Sequence, residues 1–229
     1  MKYIWKNSMR RMLPSGAGLL LLCLIFPRLT GDMPLNALRG LYGGVPMKRL
    51  VTQAGFFLTF TILQYCGWLG LSCFLRNETN LLPRCQSRGK LFAALWRFLL
   101  PVDVLFVLVM AAGTLAGFRG RVPAGTLQEL AEISIRGLVE CVFLSGLQLV
   151  FLVRMGEERT AMAMTACAAG MALLSLSPAR LVWLAPARTP FPAASFLIGV
   201  FFAAGTVMLG KRLYSKEEGS VLWKSEWNR

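Results

Sequence analysis

The sequence predicts an all-α membrane protein: six transmembrane helices, an N-terminal interfacial amphipathic helix, and both termini on the cytoplasmic side. Two observations carry this. Of 229 residues, 55% are hydrophobic and 22 more are Gly, well above the roughly 45–50% that soluble domains devote to apolar residues and Gly together. The apolar residues also fall into runs bounded by charge, of the length that a helix rising about 1.5 Å per residue needs to cross about 30 Å of hydrocarbon.

The N-terminal segment, 1–12, sets Met1, Ile4, Trp5, Met9 and Met12 on one helical face and Lys2, Lys6, Arg10 and Arg11 on the other. That pattern suits a helix lying in the headgroup layer before turning into the first span. The spans are expected at about 13–27, 54–75, 91–118, 137–153, 160–177 and 193–210, with 211–229 as a cytoplasmic tail, all in a single transmembrane domain. The basic N-terminus and Leu19 to Phe26 superficially match a signal peptide, but no small-x-small cleavage site follows.

Between spans one and two, 28–53 is rich in Gly and Pro and reads as irregular. Between spans two and three, Pro83 is suited to open a short helix and Gly89 to close it, with Arg84 and Arg88 one turn apart. This basic segment either docks a soluble partner or simply supplies topology-setting charge. Ahead of span four, Thr126-Leu-Gln-Glu129 forms a capping-box pattern, so a helix is expected to start near Leu127 and run unbroken through the span, projecting beyond the bilayer. The stretch 178–192 mixes Pro with Leu, Val and Trp and reads as a half-buried or re-entrant segment.

Orientation follows from the basic residues in short loops, which are retained in the cytoplasm. With the N-terminus inside, 15 Lys and Arg fall on the inner side and 9 on the outer, with Arg97 left within a span. Because these charges flank apolar runs, the net charge of +14 is answered by membrane lipid and not by nucleic acid.

The chemistry that is absent narrows function further. The chain has no His, so Ser-His and His-zinc proteolysis are excluded, and it has no Walker A string for ATP. Its 6 Cys contain no CxxC pair, and they read as small apolar residues or reduced thiols. No catalytic residue and no metal site are expected.

Three ionisable residues fall in or near spans. From Leu91, Arg97 lies about 9 Å deep and Asp103 about 18 Å deep, near the midplane. Arg97 can snorkel to the inner headgroups. Asp103, two residues beyond Pro101, reads as a functional or helix-packing group, since buried charge is costly in lipid. The two are six residues apart and stand on different helix faces, so they do not pair. Glu140 lies toward the outer end of span four and is expected to reach water.

Taken together, this layout resembles the permease of a type-2 ABC exporter, particularly the small stand-alone permeases of bacterial peptide and lantibiotic export or self-immunity. The closest local similarity is Leu82-Pro83-Arg84-Cys85-Gln86-Ser87-Arg88-Gly89-Lys90, which is similar to the basic stretch such permeases carry before span three. The resemblance implies that Arg84, Cys85, Gln86, Ser87, Arg88 and Lys90 form a coupling loop against a cytoplasmic ABC ATPase dimer, where ATP and Mg would bind. It also implies a second permease subunit, identical or related, and residence in the bacterial cytoplasmic membrane. Two other classes stay open: a substrate-binding membrane subunit of an energy-coupling uptake system, and a non-transport scaffold or immunity protein.

The topology gives a direct expectation. With Cys85 as the sole remaining cysteine, an impermeant maleimide should leave intact cells unlabelled and label the protein after permeabilisation. Labelling in intact cells would invert the orientation.

Overall fold

A computed structural model describes residues 2–42, 50–75, 87–118, 125–155, 157–176 and 193–216, and these residues form helices with no strand among them. In chain order they are α1 (Lys2–Thr30), α2 (Pro34–Leu41), α3 (Leu50–Leu75), α4 (Arg88–Gly117), α5 (Thr126–Met155), α6 (Glu157–Leu176) and α7 (Ala193–Lys216). Five of them contain segments long and apolar enough to cross a membrane: Arg10–Thr30, Val51–Leu71, Arg88–Gly117, Thr126–Met155 and Phe196–Ser215. The chain is a multi-pass membrane protein. α6 occupies the position of the expected fifth span but is not one of these five; it opens on Glu157, Glu158 and Arg159 and is built largely from Ala, Met and Thr.

At the N-terminus the structure departs from the expected layout. Segment 1–12 and the first span are not two helices joined by a turn, because α1 continues through Pro14 from Lys2 to Thr30. It ends where Gly31 takes φ 70°, a left-handed conformation that Gly adopts without a Cβ penalty. The 28–53 loop is not wholly irregular either. Pro34 sits in the first turn of α2, where its missing N–H costs nothing, and Leu35, Ala37, Leu38 and Leu41 turn a buried face inward.

α2 fixes the sense of the bundle. Pro34 stands beside Gly117 at the C-terminal end of α4, Gly40 faces Thr52 at the start of α3 and Phe26 near the end of α1, and Tyr42 lies over Gly137 in the first half of α5. The ends of α1 and α4 and the beginnings of α3 and α5 are thus gathered at one end, so the long helices alternate in direction. α5 is central and packs against α2, α3, α4, α6 and α7. Its length of 30 residues exceeds what a bilayer needs, as the sequence leads one to expect.

The core divides into two stacked apolar clusters. The one beneath α2 includes Phe26, Leu38, Phe60, Met110, Ile133 and Leu144. The other, at the opposite end, includes Leu71, Leu91, Leu95, Phe98, Leu149 and Tyr214. Close approach between helices depends on missing side chains at particular positions. A Cβ at Gly113 would lie 2.7 Å from Cys23 Cβ, and one at Gly146 would lie 2.5 Å from Thr206 Oγ1.

The helix starts differ in detail from the sequence reading. Ser87 caps α4, its Oγ accepting from Lys90 N–H at 3.3 Å. Gly89 therefore lies in the first turn of α4 and does not close a preceding helix. Thr126 is the first residue of α5, after Gly125 at φ 82°. The Glu129 carboxylate pairs with Arg39 of α2 instead of completing a capping box, because α2 brings a guanidinium within its reach.

Gly113→Ala should push α1 from α4 and cost about 1–3 kcal/mol, seen as a lower thermal inactivation temperature in detergent. Gly18, whose added Cβ would meet nothing within 4 Å, is the contrast: Gly18→Ala should be neutral or slightly stabilising.

Candidate polar site within the bundle

Asp103 lies midway along α4 and is 1% exposed. One carboxylate oxygen, Oδ1, accepts a hydrogen bond of 2.9 Å from Ser145 Oγ of α5, while Oδ2 has no partner. The pair stands at the seam between the two apolar clusters: Val102 and Leu149 belong to one, Phe106 and Leu144 to the other. The buried thiols of Cys66 and Cys141 are within electrostatic range of the carboxyl. A carboxyl here has little alternative hydration, so a hydroxyl across the helix interface is worth keeping.

Glu140 is also buried, at 7% exposure, with Oε2 unpartnered, which overturns the expectation that it reaches water. The reason is the length of α5. Glu140 stands 14 residues beyond Thr126, about 21 Å along the axis, and α2 covers that face with Tyr42. Burial pushes the Tyr42 phenol well above its ordinary pKa, with Cys141 and Glu140 acting in the same direction, and its hydroxyl has no hydrogen-bond partner. Glu140 and Ser145 are five residues apart on α5, turned about 140° from each other, so Glu140 and Asp103 do not share one polar stripe.

Arg97 is exposed on α4 and separate from buried Asp103, as the six-residue spacing requires. Of the basic loop, Ser87 and Lys90 serve the start of α4 and Arg88 is its first residue. Arg84, Cys85 and Gln86 lie outside the described residues, as do 178–192 and the tail beyond 216. At the α2 end, Arg39 also donates to Asn36 Oδ1 at 3.1 Å, and Arg136 pairs with Glu132 on the same helix. Among the described residues there is no group of three or more His, Cys, Asp or Glu arranged to hold a metal ion.

Sequence reasoning missed Ser145, Gln148 and Gln64. Gln148 Nε2 donates to the Gln64 backbone carbonyl at 3.1 Å. Its amide fits because residue 67 is Gly, where an added Cβ would lie 2.5 Å from Gln148 Oε1. These residues carry no charge, so counting charges within spans passes over them. Two Gln inside apolar runs were the available signal.

Comparison with protein-family models, curated proteins and solved structures yields no match to this chain. The fold and site define it as a multi-pass helical membrane protein with a carboxyl buried at mid-bundle.

A double-mutant cycle tests the central contact. Ser145→Ala and Asp103→Leu, each of which removes one partner of the bond, should couple by about 0.6–1.7 kcal/mol in unfolding free energy, the range of hydrogen bonds between membrane helices. Additive effects would mean that the hydroxyl and the carboxyl do not interact.

Proposed function

We propose that this chain is the membrane-spanning permease subunit of an ATP-driven exporter that moves a peptide, lipid-like or amphipathic cargo with a separate ATPase. The observation that carries the reading is Asp103, a mid-bundle carboxyl with a single hydrogen bond and an unused oxygen. An ionisable group kept at that depth is expensive, and membrane proteins retain such groups mainly along the paths of ions and substrates or at helix contacts that those paths rearrange. The layout similarity to type-2 ABC permeases supports the ATPase partner. In this proposal α6 also crosses the membrane, as the fifth of six spans, both termini are cytoplasmic, and the membrane is the bacterial cytoplasmic membrane. The basic loop from Arg84 to Lys90 then docks the ATPase dimer, which binds ATP and Mg, and a second permease completes the assembly.

Because Asp103 turns into its own bundle, its role in this reading is within the chain and not at a contact with the second permease. A change in the spacing of α4 and α5 would break the Ser145 bond and uncover the carboxyl, giving the helix pair two electrostatically distinct states.

In native membranes the ATPase should co-purify with the unaltered chain and be lost on replacing Arg84 and Arg88 with Glu. Asp103→Leu should keep the partner and basal ATP hydrolysis while lowering cargo-stimulated hydrolysis about tenfold or more, with Asp103→Asn milder. Recovery of the chain with no nucleotide-hydrolysing partner would favour the scaffold reading. Full stimulation in the Leu variant would remove Asp103 from the mechanism.

A further inference from the structure

A second polar feature lies on the flank of the bundle, apart from Asp103. Between α3, α5 and α6 is a side-opening cavity of about 290 Å³. Phe60, Gln148 and Met164 are buried in its floor, while Thr61, Tyr65 and Thr165 are exposed at its rim. These positions fall in the membrane-crossing part of α3 and in the adjoining ends of α5 and α6, so the opening faces the acyl region or the inner headgroup boundary. The volume is near the lower end of small-molecule sites, enough for a compact head and the start of an attached chain.

Gln64 gives this cleft its chemistry. Gln64 lines the cavity, and its side-chain amide is buried behind that wall with neither Nε2 nor Oε1 hydrogen-bonded. Two neighbouring hydroxyls donate to carbonyls of their own helices: Thr61 Oγ1 to Phe57 O at 2.7 Å, and Thr165 Oγ1 to Ala161 O at 2.9 Å. The Gln148 amide nitrogen is spent on the Gln64 carbonyl. An unsatisfied carboxamide at this depth is costly, and rotation about its terminal torsions would bring a donor and an acceptor side by side to the cleft. Among the described residues no Lys, Arg, Asp or Glu lines the cavity, so a charged head would meet no opposite charge from them. Tyr65 and Trp68 stack at 6.2 Å between centroids and 28° between planes, forming a flat apolar wall beside the amide.

We infer that this cleft is a binding site for an uncharged, amide-headed amphipath. The ligand's amide pairs with the Gln64 carboxamide, which reaches it by rotation about its terminal torsions. The apolar chain leaves along the Tyr65 and Trp68 wall. The site stands on the chemistry of the cleft alone and does not require that the chain be a transporter.

The test uses the full chain in phosphatidylcholine nanodiscs and three photoreactive probes sharing one diazirine-bearing alkyl chain, headed by an N-methylamide, a carboxylate or an amine. After irradiation, peptide mapping should place the amide probe on 60–68 and 160–165, at least about tenfold above the charged analogues. Gln64→Leu should reduce amide labelling to the level of the carboxylate, and Gln64→Asn, which keeps a carboxamide on a shorter stem, should retain part of it. Equal labelling by the three heads would mark an annular lipid contact only and overturn the site, as would labelling elsewhere, no labelling, or undiminished labelling of the Leu variant. If the Leu variant fails to insert, the comparison of heads on the unaltered chain decides by itself.

Discussion

The arrangement turns on one constraint, the burial of the Asp103 carboxyl in a bundle meant for hydrocarbon. It receives one hydrogen bond, from Ser145, and that bond fixes how α4 and α5 meet at mid-height. A carboxyl facing lipid would have to draw water or headgroups to itself; one facing a hydroxyl on the next helix is partly satisfied where it stands. The two apolar clusters close above and below this point, so the register of α4 against α5 is specified by polarity while the rest of their contact is specified by shape.

Without a hydrophobic drive between helices in lipid, shape must come from packing, and here it comes from sites where a side chain is missing. Gly67 admits the Gln148 amide, Gly113 admits Cys23 and Gly137 admits the Tyr42 ring. Each lets a specific neighbour approach more closely than a Cβ would permit. α2 ties these crossings together at one end. It is short, yet its buried face and the Arg39–Glu129 ion pair connect it to the central helix. The half-exposed carboxylate makes that pair a weak stabiliser, and its value lies in orientation.

The helical class, the membrane setting and the approximate places of the long helices were legible because hydrocarbon thickness imposes a length and a composition on each span. The extension of α5 ahead of its span was legible for a local reason, the turn chemistry of Gly125 and Thr126. α2 was hidden by Gly40, Gly43, Gly44 and Pro46, which lie within or just after it and suggest irregular chain; its Leu35, Leu38 and Leu41 spacing earns a helix only once there is a bundle end to cover. Ser145 and Gln148 were hidden because a short hydroxyl or a neutral amide inside an apolar run does not announce which neighbour it will meet.

By itself the sequence determined that this is a helical protein of the membrane and that Asp103 lies too deep for water to reach it freely. Both follow from one-dimensional facts, the length of an apolar run and the rise of a helix. Only the tertiary structure decided that Asp103 meets Ser145, that Glu140 turns inward beneath Tyr42, and that the Gln64 side-chain amide is left without a partner beside an open cleft. Those outcomes depend on rotation and on which helix stands alongside, and periodicity along one chain segment carries no information about its neighbour.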